Sequence, residues 1–152
     1  MKKDIVFRRR VMPTLFEKII NGDLPSHCVG SGEGWFAFLD IFPRRQGHTL
    51  VVPTRGVQRL GQLSEHERHA LMDGVAQVQT RLSRHFGTED FTVCLHDGPL
   101  AGQEVPHVHF HVLPRTEGDG GGTLMSMWPS SHHSEPDHGS LAELATALQD
   151  VS

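Results

Sequence analysis

Residues 102–115 read GQEVPHVHFHVLPR, and the second half of this stretch alternates between histidine and a hydrophobic residue. The histidines are His107, His109 and His111, and the hydrophobic residues are Val108, Phe110 and Val112. Successive side chains of a β-strand point to opposite faces, so a strand over residues 105–113 is predicted to carry all three imidazoles on one face. Neighbouring histidines would then lie about 6.6 Å apart, with the hydrophobic residues facing the core.

Four other short segments rich in strand-forming residues predict partners for this strand, at residues 27–30, 35–39, 48–52 and 91–95. Most are separated by Gly- and Pro-rich turns, which favours antiparallel pairing. A short helix is predicted near the end of the chain, over residues 141–148. Together with the two helices described next, this pattern predicts an α+β fold with a five-stranded, mostly antiparallel sheet.

Two capping boxes predict the main helices, because Thr14 is followed by Glu17 and Ser64 by Glu67. The first helix is expected to be short and to end at an Asn-Gly pair, and the second to continue to Gly87. The second helix carries a hydrophobic stripe at helical spacing, formed by Leu71, Gly74, Val75, Val78 and Leu82.

Length and charge divide the chain of 152 residues into one globular domain and two flanking segments. Residues 1–12 are expected to be a basic, flexible N-terminus, residues 13–115 the domain, and residues 116–152 a Gly-rich tail with the short helix. Outside residues 1–12 there are 9 basic and 17 acidic residues, a net charge of −8. An acidic body argues against a nucleic-acid-binding surface.

Composition also bears on the compartment. No apolar run approaches the roughly 20 residues that a membrane-spanning helix requires, so no membrane partner is predicted. Cys28 and Cys94 are far apart in the sequence and form no CxxC motif. A reducing, cytoplasmic environment is therefore expected.

Three interpretations of the alternating histidines are open. They could form the polar face of an edge strand, although many other residue types would serve there. They could bind zinc with help from Asp97 or Glu104. The third interpretation is phosphoryl chemistry, in which a neutral imidazole attacks phosphorus and its neighbours bind phosphate oxygens. We favour the third, because Gly98, Gly102 and Gln103 precede the strand and would allow close approach of an anion.

The stretch HVHFHVL resembles the HφHφHφφ signature (φ, hydrophobic) of the histidine triad, or HIT, family. The preceding DGPLAGQEVP is similar to the fragile-histidine-triad (Fhit) branch. Upstream, TLFEKIINGDLPSH and FAFLDIFPRRQGHTLVVP are similar to the Hint branch. The resemblance covers residues 13–115. It implies a HIT-like fold, usually a homodimer with a continuous sheet, that acts without a cofactor at the α-phosphate of a purine nucleoside phosphoramidate or a dinucleoside polyphosphate.

The resemblance also implies roles for the catalytic residues. His109 matches the nucleophile that forms a nucleotidyl-histidine intermediate, His107 the residue that orients it, and His111 a ligand of a phosphate oxygen. Gln103 matches the glutamine near the scissile bridge and the leaving group. His48 matches an upstream histidine that joins the triad in many members.

Nucleotide-binding residues follow from the same resemblance. Asp40 falls where the family binds ribose hydroxyls. Five hydrophobic residues match positions that line the base pocket, although core packing would explain them equally well: Phe16, Ile19, Phe38, Leu39 and Ile41. Gly102, His96 and Glu104 belong to the phosphate-side loop of the predicted site.

Several positions depart from the family pattern. His96 replaces an Asn or Gln, and Glu104 replaces a Ser or Thr. Thr14 and Glu17 stand where some bacterial relatives have a pair of zinc-binding cysteines, so no metal is predicted. Trp128 lies in the divergent tail and is a candidate for reaching the site of a partner subunit. Two alternatives to an enzyme stay open: a non-catalytic nucleotide-binding regulator, and a metal-binding module that uses the HxHxH strand.

Overall fold

The computed structural model describes residues 12–127 and 135–149. Five strands are present there: β1 (Cys28–Gly32), β2 (Trp35–Leu39), β3 (Thr49–Pro53), β4 (Phe91–Leu95) and β5 (Phe110–Pro114). The α-helices are α1 (Leu15–Ile20), α2 (Glu65–Phe86) and α3 (His138–Gln149). Short 3₁₀ turns occupy Leu60–Gln62, Pro99–Ala101 and Leu124–Met127. No helix in these described ranges has the length and hydropathy needed to cross a membrane.

The five strands form one sheet in the order β1-β2-β3-β5-β4, and every pair of neighbours is antiparallel. This confirms the predicted α+β fold and its antiparallel sheet. β5 lies between β3 and β4, so the strand that ends the histidine stretch is interior to the sheet. The strands begin within one or two residues of their predicted positions, with β5 as the exception.

Both predicted capping boxes are formed. The hydroxyl of Thr14 accepts from the backbone N–H of Glu17, and the Glu17 carboxylate accepts from the Thr14 N–H in return. Ser64 and Glu67 make the same reciprocal pair at the start of α2. α2 ends at Gly87, whose φ of 65° lies in the left-handed region that a helix C-terminus of this kind requires.

The two faces of the sheet are covered by different helices. The predicted stripe of α2 is buried as a whole, and it packs on the core formed by Trp35, Ala37, Val51, Val108 and Val112. Gly74 lies against the indole of Trp35, and a Cβ added there would come within 2.6 Å of the ring. α1 contributes to the smaller cluster on the other side of the sheet, with Phe16, Phe38, Leu50 and Val52 buried.

The predicted strand over residues 105–113 is wrong in its first half, because β5 begins only at Phe110. Pro106 has no N–H to give to a ladder, the N–H of His107 turns back to the Val105 carbonyl, and the N–H of Val108 donates to Val57 outside the sheet. The segment is nevertheless extended enough to keep the alternation of side chains. Val108 and Val112 are in the core on the α2 side, whereas His107 and His109 contact Phe16 of α1.

The chain divides into two compact units between Asp119 and Gly120. Within the first unit, the buried carboxylate of Asp119 accepts hydrogen bonds from the guanidinium groups of Arg45 and Arg115, which fastens the end of the unit to the β2–β3 loop. The second unit contains α3, which is three residues longer at its start than predicted. Residues 1–11 and Trp128, for which the sequence suggested roles, lie outside the described residues.

Candidate active site

Four imidazoles are gathered beside the start of β5, with His111 at their centre. Its ring centroid lies 5.0 Å from that of His109, 5.1 Å from that of His48 and 5.3 Å from that of His96. His111 belongs to β5, His48 immediately precedes β3, and His96 immediately follows β4. Since β5 is paired with both of these strands, the sheet itself brings histidines from distant parts of the sequence together.

Two chains of hydrogen bonds fix the protons of this cluster. The first, which we call the donor chain, begins at the backbone N–H of Arg44, which donates to Nδ1 of His48 at 3.1 Å. A backbone N–H can only donate, so the proton of a neutral His48 must be on Nε2. Nε2 of His48 lies 2.9 Å from Nδ1 of His111 and donates to it. The proton of His111 is therefore on its own Nε2, where it is available as a donor.

The second chain, which we call the acceptor chain, ends at His109. It leaves Nε2 of His109 with a lone pair, whereas the donor chain leaves Nε2 of His111 with a proton. Nε2 of His107 lies 2.8 Å from the Pro53 carbonyl, and Nδ1 of His107 lies 2.7 Å from the Thr14 hydroxyl. Nδ1 of His109 lies 2.7 Å from the carbonyl of His107. A carbonyl can only accept, so the proton of a neutral His109 is on Nδ1, and Nε2 presents a lone pair.

Burial keeps these imidazoles neutral. It lowers the pKa of every histidine in the two chains, because each imidazolium would lose its hydration: His48, His107, His109 and His111. The pKa of His111 falls to about 4, because repulsion from protonated neighbours adds to the effect of burial. Asp40 and Glu104 act on the pKa of His109 in the opposite direction, but burial outweighs them. The lone pair of His109 is thus available at neutral pH.

An aromatic wall stands next to the histidines. The ring of Phe16 meets His107, His109 and Phe38 edge-on, at centroid distances of 5.5, 5.1 and 5.3 Å. Of the residues predicted for the base pocket, Phe16 and Phe38 are buried and Ile19 packs against them. Leu39, the last residue of β2, and Ile41, two residues later, have 37% and 69% of their surface exposed. The residues predicted for the base pocket therefore fall into a packed group of three and two exposed residues.

Asp40 follows β2 and faces the donor chain. One carboxylate oxygen accepts from the N–H of Phe42 at 2.8 Å, and the other lies 3.6 Å from Nε2 of His48. Within the described residues, Asp40, His48 and His111 are the one set of potential metal ligands whose atoms lie within 4.8 Å of one another. A metal there would need a lone pair on Nε2 of His48, whereas the bond from Arg44 places the proton on that atom.

The loop between β4 and the histidines is shaped by two glycines with positive φ, Gly98 at 103° and Gly102 at 97°. The predicted Gln103 is buried, and its amide group donates to the Gln58 carbonyl at 2.7 Å. Its Oε1 is buried and accepts no hydrogen bond from any described residue, so an acceptor is left for a ligand or a water molecule. Glu104 is exposed next to it and is close enough to influence His109.

Several groups that complete the cluster were not expected from the sequence. The carbonyls of Pro53 and His107 and the N–H of Arg44 act through the backbone, which leaves no residue-type signal. Thr14 was recognised as a helix cap, and that pattern concealed its second bond, to His107. Arg59 lies directly over Gly98, where an added Cβ would clash with its guanidinium group.

An antiparallel sheet that brings a triad of alternating histidines to one face defines a histidine-triad domain, and comparison with known proteins agrees. The HIT domain family matches residues 21–118. The chain is 43% identical over 106 residues to an uncharacterised HIT-like protein of Methanocaldococcus jannaschii, covering 70% of this chain and 81% of that one. The chain belongs to the HIT family.

Some relatives carry names that state an activity. An adenosine 5′-monophosphoramidase of Schizosaccharomyces pombe is 34% identical over 119 residues, covering 78% of this chain and 85% of the relative. An asymmetrical bis(5′-nucleosyl)-tetraphosphatase of the same yeast is 40% identical over 83 residues, covering 55% and 46%. Among solved structures, a HIT family member from Bacillus subtilis superposes with a TM-score of 0.81 at 27% identity, covering 93% of this chain and 98% of the other.

Proposed function

We propose that the protein is a hydrolase or transferase that cleaves a nucleotide conjugate at its α-phosphate through a covalent intermediate on His109. Membership of the HIT family and relatives with named activities support nucleotide hydrolysis in general. The observation that carries the specific proposal is the bond from Nδ1 of His109 to the His107 carbonyl, which leaves a lone pair on Nε2. A neutral imidazole with a fixed tautomer is a competent nucleophile toward phosphorus.

In the first step, the lone pair on Nε2 of His109 forms a bond to the α-phosphorus while the bond from phosphorus to the leaving group breaks. The leaving group departs with that electron pair and takes up a proton from solvent water. In the second step, water attacks the phosphorus of the nucleotidyl-histidine and releases a proton to the solvent, the P–N bond breaks, and the lone pair returns to His109. The phosphate oxygens carry the developing negative charge in both steps.

The donor chain supplies what that charge needs. The ring of His111 carries its proton on Nε2 and lies next to the ring of His109, so a phosphate oxygen bound at His109 would be able to accept that proton. The two chains thus have complementary roles, since one delivers a donor and the other a nucleophile. Asp40, at the end of β2, is suited to bind the two ribose hydroxyls, because a carboxylate accepts from both. Phe16 and Phe38 would form one wall of the base site.

The substrate class is proposed from the relatives and from the loop before the triad. A phosphoramidate with an amine leaving group and a dinucleoside polyphosphate are the two candidates. The unpartnered Oε1 of Gln103 and the carboxylate of Glu104 favour the first, because an amine offers N–H donors and a polyphosphate brings more negative charge. Arg59, an exposed cation beside Gly98, favours the second candidate instead, because it would attract the negative charge of a polyphosphate.

Two measurements test this proposal. Rates on adenosine 5′-phosphoramidate and on diadenosine tetraphosphate, measured side by side with the same preparation, should show turnover of at least one, with the phosphoramidate faster. Rapid quenching with a substrate labelled in the α-phosphate should trap label on the protein, and peptide mapping should place it on His109. A protein that binds AMP but gives no turnover and no labelled adduct is the non-catalytic regulator instead.

We also propose a homodimer with a continuous sheet. Both outer strands, β1 and β4, have one edge that pairs with no other described strand, and a free edge is a template for a second copy. Light scattering at micromolar concentration should give twice the mass of the chain. A monomeric mass at that concentration would exclude the dimer and leave the catalytic proposal unchanged.

A further inference from the structure

Thr14 touches two systems that are otherwise separate. Its hydroxyl oxygen accepts from the Glu17 N–H at 3.0 Å and so caps α1. The same oxygen lies 2.7 Å from Nδ1 of His107, which is 93 residues away in the sequence. A cap needs only the lone pairs of the hydroxyl, so its proton remains to be assigned.

The surroundings of His107 assign that proton. Nε2 of His107 faces the Pro53 carbonyl at 2.8 Å and must donate to it. A neutral ring has one N–H, so Nδ1 is an acceptor, and burial favours the neutral form by lowering the pKa of His107. The Thr14 hydroxyl therefore donates to His107 while it accepts from Glu17. Both nitrogens of a fully buried ring are satisfied in this way.

His107 in turn supports the nucleophile through its backbone. The His107 carbonyl accepts from Nδ1 of His109 at 2.7 Å, and residues 105–109 are not held by the sheet. Within the described residues, the ring of His107 is bonded only to Thr14 and Pro53, so those two bonds fix the segment that carries the carbonyl. Phe16, two residues after Thr14, also packs on the rings of His107 and His109.

We infer that Thr14 is a positioning residue for catalysis: its hydroxyl proton holds His107 so that the His107 carbonyl fixes the tautomer and direction of His109. This inference rests on the proposed function, in which His109 is the nucleophile. It differs from helix capping, because capping needs an acceptor and positioning needs a donor. It assigns α1 a part in the chemistry as well as in the base site.

Ser64 provides a matched control. It caps α2 with the same kind of capping box. Among the hydrogen bonds of the described residues, it donates none to a histidine of the site. Ser64→Ala therefore removes a helix cap alone, at a cost of about 1 kcal/mol in stability. Thr14→Val removes the cap and the donor with little change of shape, and Thr14→Ser keeps both.

The experiment measures kcat and KM of the full-length variants on the faster of the two substrates named above. Thr14→Val should lower kcat about tenfold or more, because small displacements of a nucleophile are costly, while KM changes by less than about threefold. Thr14→Ser should restore kcat, and Ser64→Ala should leave it unchanged. By NMR, the ¹⁵N resonance of His107 Nδ1 should move in Thr14→Val, return in Thr14→Ser, and stay in place in Ser64→Ala.

The opposite results overturn the inference in identifiable ways. If Thr14→Val keeps its kcat, or loses efficiency only through KM, then Thr14 merely orders α1 and the base site. If the His107 resonance is the same in Thr14→Val as in the parent protein, the hydrogen bond is absent. Failure of the parent protein to turn over either substrate would instead overturn the proposed function, and the NMR comparison would still decide the contact.

Discussion

The two faces of the sheet are built on different principles. On the α2 face, Leu71, Val78, Val108 and Val112 are buried completely and make contacts that depend on shape. On the α1 face, four histidines, a threonine and an aspartate are held by hydrogen bonds whose direction matters. The same strand, β5, serves both, because alternate side chains point to opposite sides.

The difference shows that the residues that stabilise the fold and the residues suited to catalysis lie on opposite faces of one sheet. Apolar packing on the α2 face places few demands on the orientation of any one atom, and its buried polar residue Thr49 donates its hydroxyl to the Gly47 carbonyl. The histidine face gains less from burial, because each desolvated ring must find a partner. Substitutions on the two faces should therefore have different signatures, which the following predictions use.

The largest effect is expected for His109, the proposed nucleophile. His109→Ala should lower kcat by about a thousandfold or more, because no other group in the described site presents a fixed lone pair to phosphorus. Binding of AMP, measured by calorimetry, should change little. The melting temperature should stay close to that of the parent protein. Full activity in this variant would remove His109 from its role.

The reverse signature is expected for the α2 face. Leu71→Ala removes a fully buried side chain and should lower the free energy of unfolding by about 2–5 kcal/mol, through lost burial and the cavity left behind. At a temperature where the variant remains folded, its kcat should stay within about twofold of the parent value. Chemical denaturation and steady-state kinetics test the two parts. A large loss of kcat in folded protein would show that the faces are coupled.

Breaking the donor chain should have an intermediate effect. His48→Phe leaves Nδ1 of His111 without its donor, so the proton of His111 is no longer confined to Nε2, and kcat should fall about tenfold to a hundredfold. His66→Phe is the matched control, since His66 is 80% exposed on α2. Equal kinetics for the two variants would mean that the donor chain has no catalytic role.

Between pH 7 and pH 5, acid should weaken the histidine face. Burial lowers the pKa of His48, His107, His109 and His111, so below pH 6.5 the unfolded chain binds more protons than the folded one. Stability should then fall as the pH drops from 6.5 until the folded pKa values are passed, about 4 for His111. We expect the melting temperature to be roughly 5 °C lower at pH 5 than at pH 7.

A comparison of two variants tests whether this pH dependence of stability comes from the histidine face. His111→Asn removes the most strongly shifted group and should flatten the decline, whereas Leu71→Ala should lower the whole curve and keep its slope. The activity should decline over the same range, because protonation of His109 consumes the lone pair. An unchanged slope in His111→Asn would contradict the assignment.

The sequence predicted the α2 face better than the histidine face, for a physical reason. Helical spacing alone identified Leu71, Gly74, Val75, Val78 and Leu82, and those are the residues of α2 that are buried. Such a pattern is local, since each position repeats within one or two turns. The capping boxes were equally local and are present as expected.

The polar contacts of the site could not be obtained in this way. His48 and His111 are 63 residues apart, and Thr14 and His107 are 93 apart, so only the folded sheet brings them together. The prediction that the histidines share one face of the sheet and the valines the other was correct. The extent of their strand was wrong, because its pairing partners were unknown and Pro106 with the turn at His107 ends the ladder early.

The early end of β5 has a consequence for how this site can be lost. Its ladders to β3 and β4 both stop at Phe110, one residue after His109, the proposed nucleophile. The peptide groups just before Phe110 therefore make no ladder hydrogen bonds. One of them, the carbonyl of His107, instead accepts from Nδ1 of His109 and fixes the tautomer of that ring. An insertion or deletion nearby that let the pairing continue two residues further would recruit that oxygen into the ladder. Such a change would remove the bond that fixes the tautomer of His109, while every histidine kept its place in the sequence.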